Sequence, residues 1–145
     1  MHTIRGLEDG EWHQWQPLWE GYLEFYRAEV SEETTRSTFA RLTGGSDAMF
    51  GLLAVSERDE GIGLAHCMVH PTTWSRRPYC YLEDLFVSPT ARSSGLGRAL
   101  LEHAKRASVE QGAGRLYWHT QEYNGRARSL YDQVARATSF IVYEM

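Results

Sequence analysis

The sequence predicts an α/β domain with a mixed central sheet and helices on both faces. Two observations carry that prediction. Apolar segments with strand character alternate along the chain with amphipathic helical ones, an order that layers helices on a sheet. The 145 residues suit one compact domain, spanning 1–145, and 42% hydrophobic with 23% charged residues is the balance of a globule that buries one core. No long linker, repeat or low-complexity block interrupts it.

Residues 1–5 form a short opening strand. From Gly10 to about Tyr26, aromatics recur at Trp12, Trp15, Trp19, Tyr22 and Tyr26, the three-to-four spacing of one helical stripe. Pro17 within it predicts a kink or a helix start nearby. Ser31-Glu32-Glu33 reads as an N-cap with acids in the first turn of a second helix, which stops before Gly44-Gly45. Two apolar runs, 48–56 and 62–70, flank the polar turn ERDEG and read as an antiparallel hairpin. A loop with Pro71 and Pro78 leads to a third long strand at 79–87. Leu96, Ala99, Leu100, His103, Ala104 and Ala107 mark one side of the next helix, ended by Gly112 and Gly114. A strand at 115–120, a helix marked by Ala127, Leu130, Tyr131 and Val134, and a final strand at 139–145 complete the order β-α-α-β-β-β-α-β-α-β.

A formal charge of −4 argues against a broad nucleic-acid surface and favours the approach of cationic partners such as amines. The two cysteines, Cys67 and Cys80, make no disulfide framework, so a reducing cytoplasm is the expected compartment. The first thirty residues lack a basic start and an apolar core, and no stretch has eighteen uncharged apolar residues. Neither a secretion signal nor a membrane span is expected.

The most informative stretch is Val87-Ser88-Pro89-Thr90-Ala91-Arg92-Ser93-Ser94-Gly95-Leu96-Gly97-Arg98, a strand, a turn-rich loop and a helix start carrying Arg-x-x-Gly-x-Gly. Glycines let the backbone approach a ligand closely, and the free N–H groups of a first helical turn suit a phosphate. A Walker A loop is excluded, because Gly97 is followed by Arg98-Ala99 rather than Lys-Ser/Thr. A Rossmann fingerprint would sit in the first βαβ unit, whereas this loop follows the third long strand.

The loop, its flanks and the element order resemble the GNAT superfamily of N-acetyltransferases. Tyr81-Leu82-Glu83-Asp84-Leu85-Phe86-Val87 resembles the fourth strand of the spermidine/spermine acetyltransferase branch. Leu116-Tyr117-Trp118-His119-Thr120, Asn124, Arg126-Ala127 and Leu130-Tyr131 resemble the fifth strand and fourth helix. That segment is also similar to fungal acetyltransferases of histones, polyamines or D-amino acids. The resemblance is clear over residues 79–134 and implies the GNAT fold, acetyl-CoA as cofactor and a primary amine as acceptor. It implies that Arg92, Ser93, Ser94, Gly95, Leu96, Gly97 and Arg98 bind the pyrophosphate. Leu85, Phe86 and Val87 would lie along pantetheine, a backbone N–H there would steady the oxyanion, and Asn124 and Ala127 would adjoin the cofactor. One departure stands out: the Gly-Phe/Tyr common after the helix-four tyrosine is replaced by Asp-Gln-Val-Ala-Arg-Ala-Thr-Ser. The helix could run on, or the last strand could be placed or exchanged between subunits differently.

Acetyl transfer needs a neutral amine, and an alkyl ammonium has a pKa of about 10.4, so a base or water wire is required. Glu83 is the first candidate base, on a strand expected to line the cleft in a mostly apolar run where a carboxyl would be partly buried; the branch resemblance implies the same role. Asp84, on the opposite strand face, is the second. Tyr131, seven residues and two turns after Asn124, is the candidate acid for the leaving thiolate. Asn124 either caps its helix or also bonds pantetheine. Glu83, Asp84, Trp118 and Glu24 are the candidate acceptor-side residues, and aromatic rings near Glu24, Glu29, Glu32, Glu33 or Glu122 would suit a cationic chain. Cys67 and Cys80 lack an adjacent base, so buried inert thiols are expected rather than an acetyl-cysteine route. His66 and His70 share a strand face without a third ligand, so no metal site is expected. Protein lysines or N-termini remain open as acceptors. A catalytically silent acyl-CoA-binding module also remains open, though Glu83 and Tyr131 together argue against it. The last strand, an edge, predicts a homodimer.

Overall fold

The computed structural model describes residues 2–45 and 48–145; Met1, at the head of the expected opening strand, lies outside them. Strand β1 (His2–Gly6) is followed by α1 (Trp12–Phe25), α2 (Glu32–Gly44), β2 (Met49–Ser56), β3 (Gly61–His70), β4 (Tyr79–Val87), α3 (Leu96–Glu110), β5 (Arg115–Tyr117) and α4 (Gly125–Val134). The sheet runs β1-β2-β3-β4-β5, antiparallel except for the parallel pair β4–β5, which α3 connects. It is the mixed sheet expected from the alternating pattern.

Strands β2 and β3 are buried on both faces, which is why they read as continuous apolar runs. On one face Leu53, Val55, Leu64 and Phe86 meet Trp15, Leu18, Trp19 and Leu23 of α1 with Phe39 and Leu42 of α2. On the other, Leu52, Ala54, Ala65, Cys67, Cys80 and Leu82 meet Leu96, Leu100, Leu101 and Ala104 of α3, with Leu130 and Tyr131 of α4 packed against them. Burying a side chain such as Leu53 or Leu64 contributes about 1.5–3 kcal/mol. Helix α1 comes so close to the sheet that a Cβ on Gly61 would lie 2.5 Å from the carbonyl oxygen of Gln14.

Local signals placed the helix ends well. Ser31 caps α2, its side chain accepting from the Thr34 N–H, and Gly45 follows the helix in the left-handed conformation. Pro17 neither starts nor ends α1 but stands inside it.

The expected final strand at 139–145 does not form. The chain leaves α4 in extended conformation at Ala135, and Phe140, Ile141, Val142 and Tyr143 stand exposed. Their β-branched and aromatic composition suits a strand, but a strand exists only with a ladder partner. The segment passes β5 across a cavity of about 590 Å³ lined by Leu116, Trp118, Tyr131, Phe140 and Val142 among others, without pairing. Strand β5 is also shorter than the expected 115–120, because its pairing with β4 ends at Tyr81↔Tyr117.

Candidate active site

Beyond Tyr81, β4 keeps β3 as its neighbour but loses β5. From Leu82 to Val87 one backbone edge is therefore left without a strand, a row of N–H and C=O groups that an extended ligand can join. A bulge adds to this. Cys67 pairs with Leu82, yet the next β3 residue, His66, pairs with Asp84, so β4 carries one residue more than its partner. The bulge changes which residues face which helices. Cys80 and Leu82 share a face with Leu85 and Val87 on the α3 side, while Asp84 and Phe86 turn towards α1.

At the end of β4 a 3-10 turn (Pro89–Ala91) leads into the loop before α3. Ser93 has φ +68° and Gly95 φ +81°, and Gly95 occupies the N-cap position with open space where a Cβ would stand. Several side chains of the loop are engaged in bracing it. Arg92 Nε donates to the Val87 carbonyl at 3.2 Å, its guanidinium over Phe25 and Phe86 at 5.5 and 5.9 Å. Ser94 Oγ donates to the Ala91 carbonyl, and Arg98 reaches Gln133 at 2.8 Å. The exposed segment 93–95 is thus left to meet a ligand, in keeping with an anion at a helix start. Gly97 lies under α4, where a Cβ would touch Leu130 at 3.4 Å. Arg126, quoted in the sequence for the resemblance but given no role, sends Nη2 to Ser93 Oγ at 3.3 Å and brings a further cation to the loop.

Asn124 caps α4, its Oδ1 accepting from the Ala127 N–H at 3.4 Å. Tyr131, half-buried, meets Trp118 edge-on at 5.4 Å. Burial, and then the Tyr26 hydroxyl, push the Tyr131 phenol above its ordinary range, so it keeps its proton at neutral pH. Trp118, expected on the acceptor side, packs partly buried with α4 and braces Tyr131.

The two carboxylates of β4 separate. Glu83 is exposed at the bulge, so the partial burial expected of it is absent. Asp84 keeps only 14% of its side chain exposed and accepts from His66 Nδ1 at 2.8 Å. His66, fully enclosed, receives the Trp15 indole N–H on Nε2 at 2.9 Å. Burial, and then the Asp84 charge, push the Tyr22 hydroxyl upwards; the same two causes act on Tyr26. The aromatic stripe of α1 thus runs from the core at Trp15 and Trp19 out to the cleft at Tyr22 and Tyr26. Glu24, two residues from Tyr22, is exposed on the far side of α1 and is not brought to the site. Cys67 and Cys80 are free and buried; their mutual contact and burial hold the Cys67 thiol high and unreactive.

An open β4 edge leading to a backbone loop at a helix start, with a protonated tyrosine opposite, suits the transfer of an acyl group from a coenzyme A thioester, and the chain is an acyltransferase. The chain belongs to the Acetyltransferase (GNAT) family, which it matches over residues 13–135. It is 34% identical over 143 residues to the D-amino-acid N-acetyltransferase HPA3 of Saccharomyces cerevisiae, covering 98% of this chain and 89% of that protein. It is 32% identical over 88 residues to the thialysine N-epsilon-acetyltransferase of Caenorhabditis elegans, covering 60% and 53%. Among solved structures, AAC(6')-Iy in complex with a bisubstrate analogue of coenzyme A superposes with a TM-score of 0.87 at 16% identity, over 100% of this chain and 97% of that one.

Proposed function

We propose that this chain transfers acetyl from acetyl-CoA to the primary amine of a small cationic molecule, a polyamine or an amino acid derivative, by direct attack within a ternary complex. The observation that carries the reading is the convergence, on one gap between β4 and β5, of the free β4 edge, Asp84 beside Tyr22 and Tyr26, and the Tyr131 phenol. The named activities of the relatives, on D-amino acids and thialysine, support an amine acceptor.

Acetyl-CoA, when bound, supplies an activated thioester. The backbone of residues 93–97 and Arg126 would hold its pyrophosphate, and the edge of Leu85, Phe86 and Val87 would pair with pantetheine. A backbone N–H of that edge would steady charge on the carbonyl oxygen. Glu83, at the exposed bulge, takes the amine's proton through water, and Tyr131 offers its hydroxyl proton to the leaving sulfur. Two further parts of the reading are a cytoplasmic site of action, on the strength of two free thiols, and a homodimer in which the apolar segment 139–145 of one protomer finds a ladder partner on the other. Thiol release measured with a panel of polyamines, D- and L-amino acids and lysine-containing peptides tests the activity. Release with peptides alone would assign a protein acceptor instead. No release with any amine would leave an acyl-CoA-binding module.

A further inference from the structure

His66 and Trp15 were not drawn into the site by the activity above, yet their geometry fixes a charge state. An indole N–H can only donate, so His66 Nε2, 2.9 Å from Trp15 Nε1, must accept. The ring's single proton then sits on Nδ1 and is donated to Asp84 Oδ2 at 2.8 Å. Protonating His66 would set two N–H groups against each other inside a ring of Trp15 and Trp19, whose centroids lie 5.9 and 5.5 Å from the imidazole. The imidazole is therefore a fixed neutral donor.

This leaves Asp84 with an unusual balance. Its ion-pair partner among the described residues is His66, which carries no charge. The other titratable groups around it are the hydroxyls of Tyr22, Tyr26 and Tyr81, the Cys67 thiol and Glu83, none of them a cation. A largely buried carboxylate without a cation is costly, and the missing positive charge is a feature the protein leaves open. The bulge is what creates it. An uninterrupted ladder would set Glu83 opposite His66; the extra residue puts Asp84 there instead.

We propose that His66 is a positioning residue that holds Asp84 as the anionic anchor for the acceptor's primary ammonium. One carboxylate oxygen is tied down by Nδ1–H, and the ammonium joins the carboxylate beside the Tyr22 hydroxyl, which bonds to Asp84, and near Tyr26. The proposal rests on the acetyl-transfer reading, since it names what the acceptor pocket selects: a positively charged amine, gathered before its proton is lost.

Two kinds of measurement test it. Nitrogen-15 spectra of the full chain at neutral pH should show His66 as the Nδ1–H tautomer, with Nε2 as the acceptor. Adding spermidine or methylamine, with and without acetyl-CoA, should shift that Nδ1–H resonance. A ring that carries its proton on Nε2, or one indifferent to every amine under both conditions, overturns the proposal. With an amine that the wild type acetylates, Asp84→Asn should raise the KM for amine tenfold or more and leave the KM for acetyl-CoA within twofold. His66→Asn, whose amide can place an N–H near the Nδ1 position, should retain more amine affinity than His66→Gln, whose amide group lies nearer the Nε2 position and the Trp15 indole. An unchanged amine KM in Asp84→Asn, or equal losses in the two His66 variants, overturns it. A wild type without thiol release or acetyl-CoA-induced stabilisation would instead overturn the acetyl-transfer reading, while the resonance test still decides the cation anchor.

Discussion

The loop at residues 88–98 and the Trp15–His66–Asp84 chain, the two halves of the proposed site, are built by opposite means. The loop works through backbone: its shape rests on Gly95 at φ +81° and on braces between near neighbours such as Arg92 and Val87, five residues apart. The buried chain works through side chains brought together from α1, β3 and β4, with separations of 51 and 18 residues. A backbone site demands particular residue types at fixed short spacing and so leaves a motif. A side-chain relay demands only that three elements pack in one register, and it leaves no local trace.

The contrast can be broken first at Tyr131, where the two halves meet. Tyr131→Phe removes a hydroxyl and keeps the ring against Trp118, so kcat should fall about 10²–10⁴-fold with little change in acetyl-CoA binding. Steady-state kinetics with a competent amine checks this, and a kcat within threefold of wild type would remove Tyr131 from proton transfer. The same burial has a stability consequence. The folded-state pKa values of Tyr131 and Tyr22 lie above those of the unfolded chain, so their contribution is fully present below about pH 10 and lost as the pH rises through the folded values. Denaturant titrations should show weaker folding at about pH 11 than at pH 9.

At the loop, Gly95→Val forces a β-branched residue into a left-handed position. Acetyl-CoA at a hundredfold excess over its Kd stabilises a folded protein by about 2.7 kcal/mol; the variant should lose that gain in thermal melts while still unfolding cooperatively. A full ligand-induced shift in the variant would show that the loop is not the phosphate site. On the side-chain half, Gly61→Ala sets a methyl group against the Gln14 carbonyl and displaces α1 from the sheet. It should cost about 1–3 kcal/mol in chemical denaturation. A neutral result would mean that the seat of Trp15 over His66 tolerates movement and that the relay is less tightly registered than its distances indicate.

What the sequence made legible follows the same division. The hairpin, the Ser31 cap and the helix after Gly95 were readable because each rests on local residue types. The bulge at Glu83 was not, since nothing in Leu-Glu-Asp-Leu marks an extra residue. Strict alternation set the two acids on opposite faces but could not say which would meet His66. The sides of Trp118 and Glu24 were not legible for a related reason: a rich aromatic and acidic composition does not say which side of a helix, or of the chain after β5, a residue occupies. The segment 139–145 has strand composition without a strand's partner, so composition alone misread it.

The smallest effect separates two roles that the sequence left joined at Asn124. Its Oδ1 accepts from the Ala127 N–H, so part of its work is to satisfy the first turn of α4, the helix that carries Tyr131. Asn124→Ala should cost about 1 kcal/mol of stability, the usual loss for an N-cap. Asn124→Asp keeps an acceptor oxygen and adds a charge favourable to a helix start, so its melting temperature should return to that of wild type. The side-chain amide N–H is absent from both variants. If capping is the whole role, the aspartate variant should recover the KM for acetyl-CoA along with its stability. If the amide also bonds pantetheine, stability should recover while the KM stays raised by several-fold. Parallel melts and acetyl-CoA titrations of the two variants therefore assign the oxygen to the helix and the nitrogen either to the cofactor or to solvent.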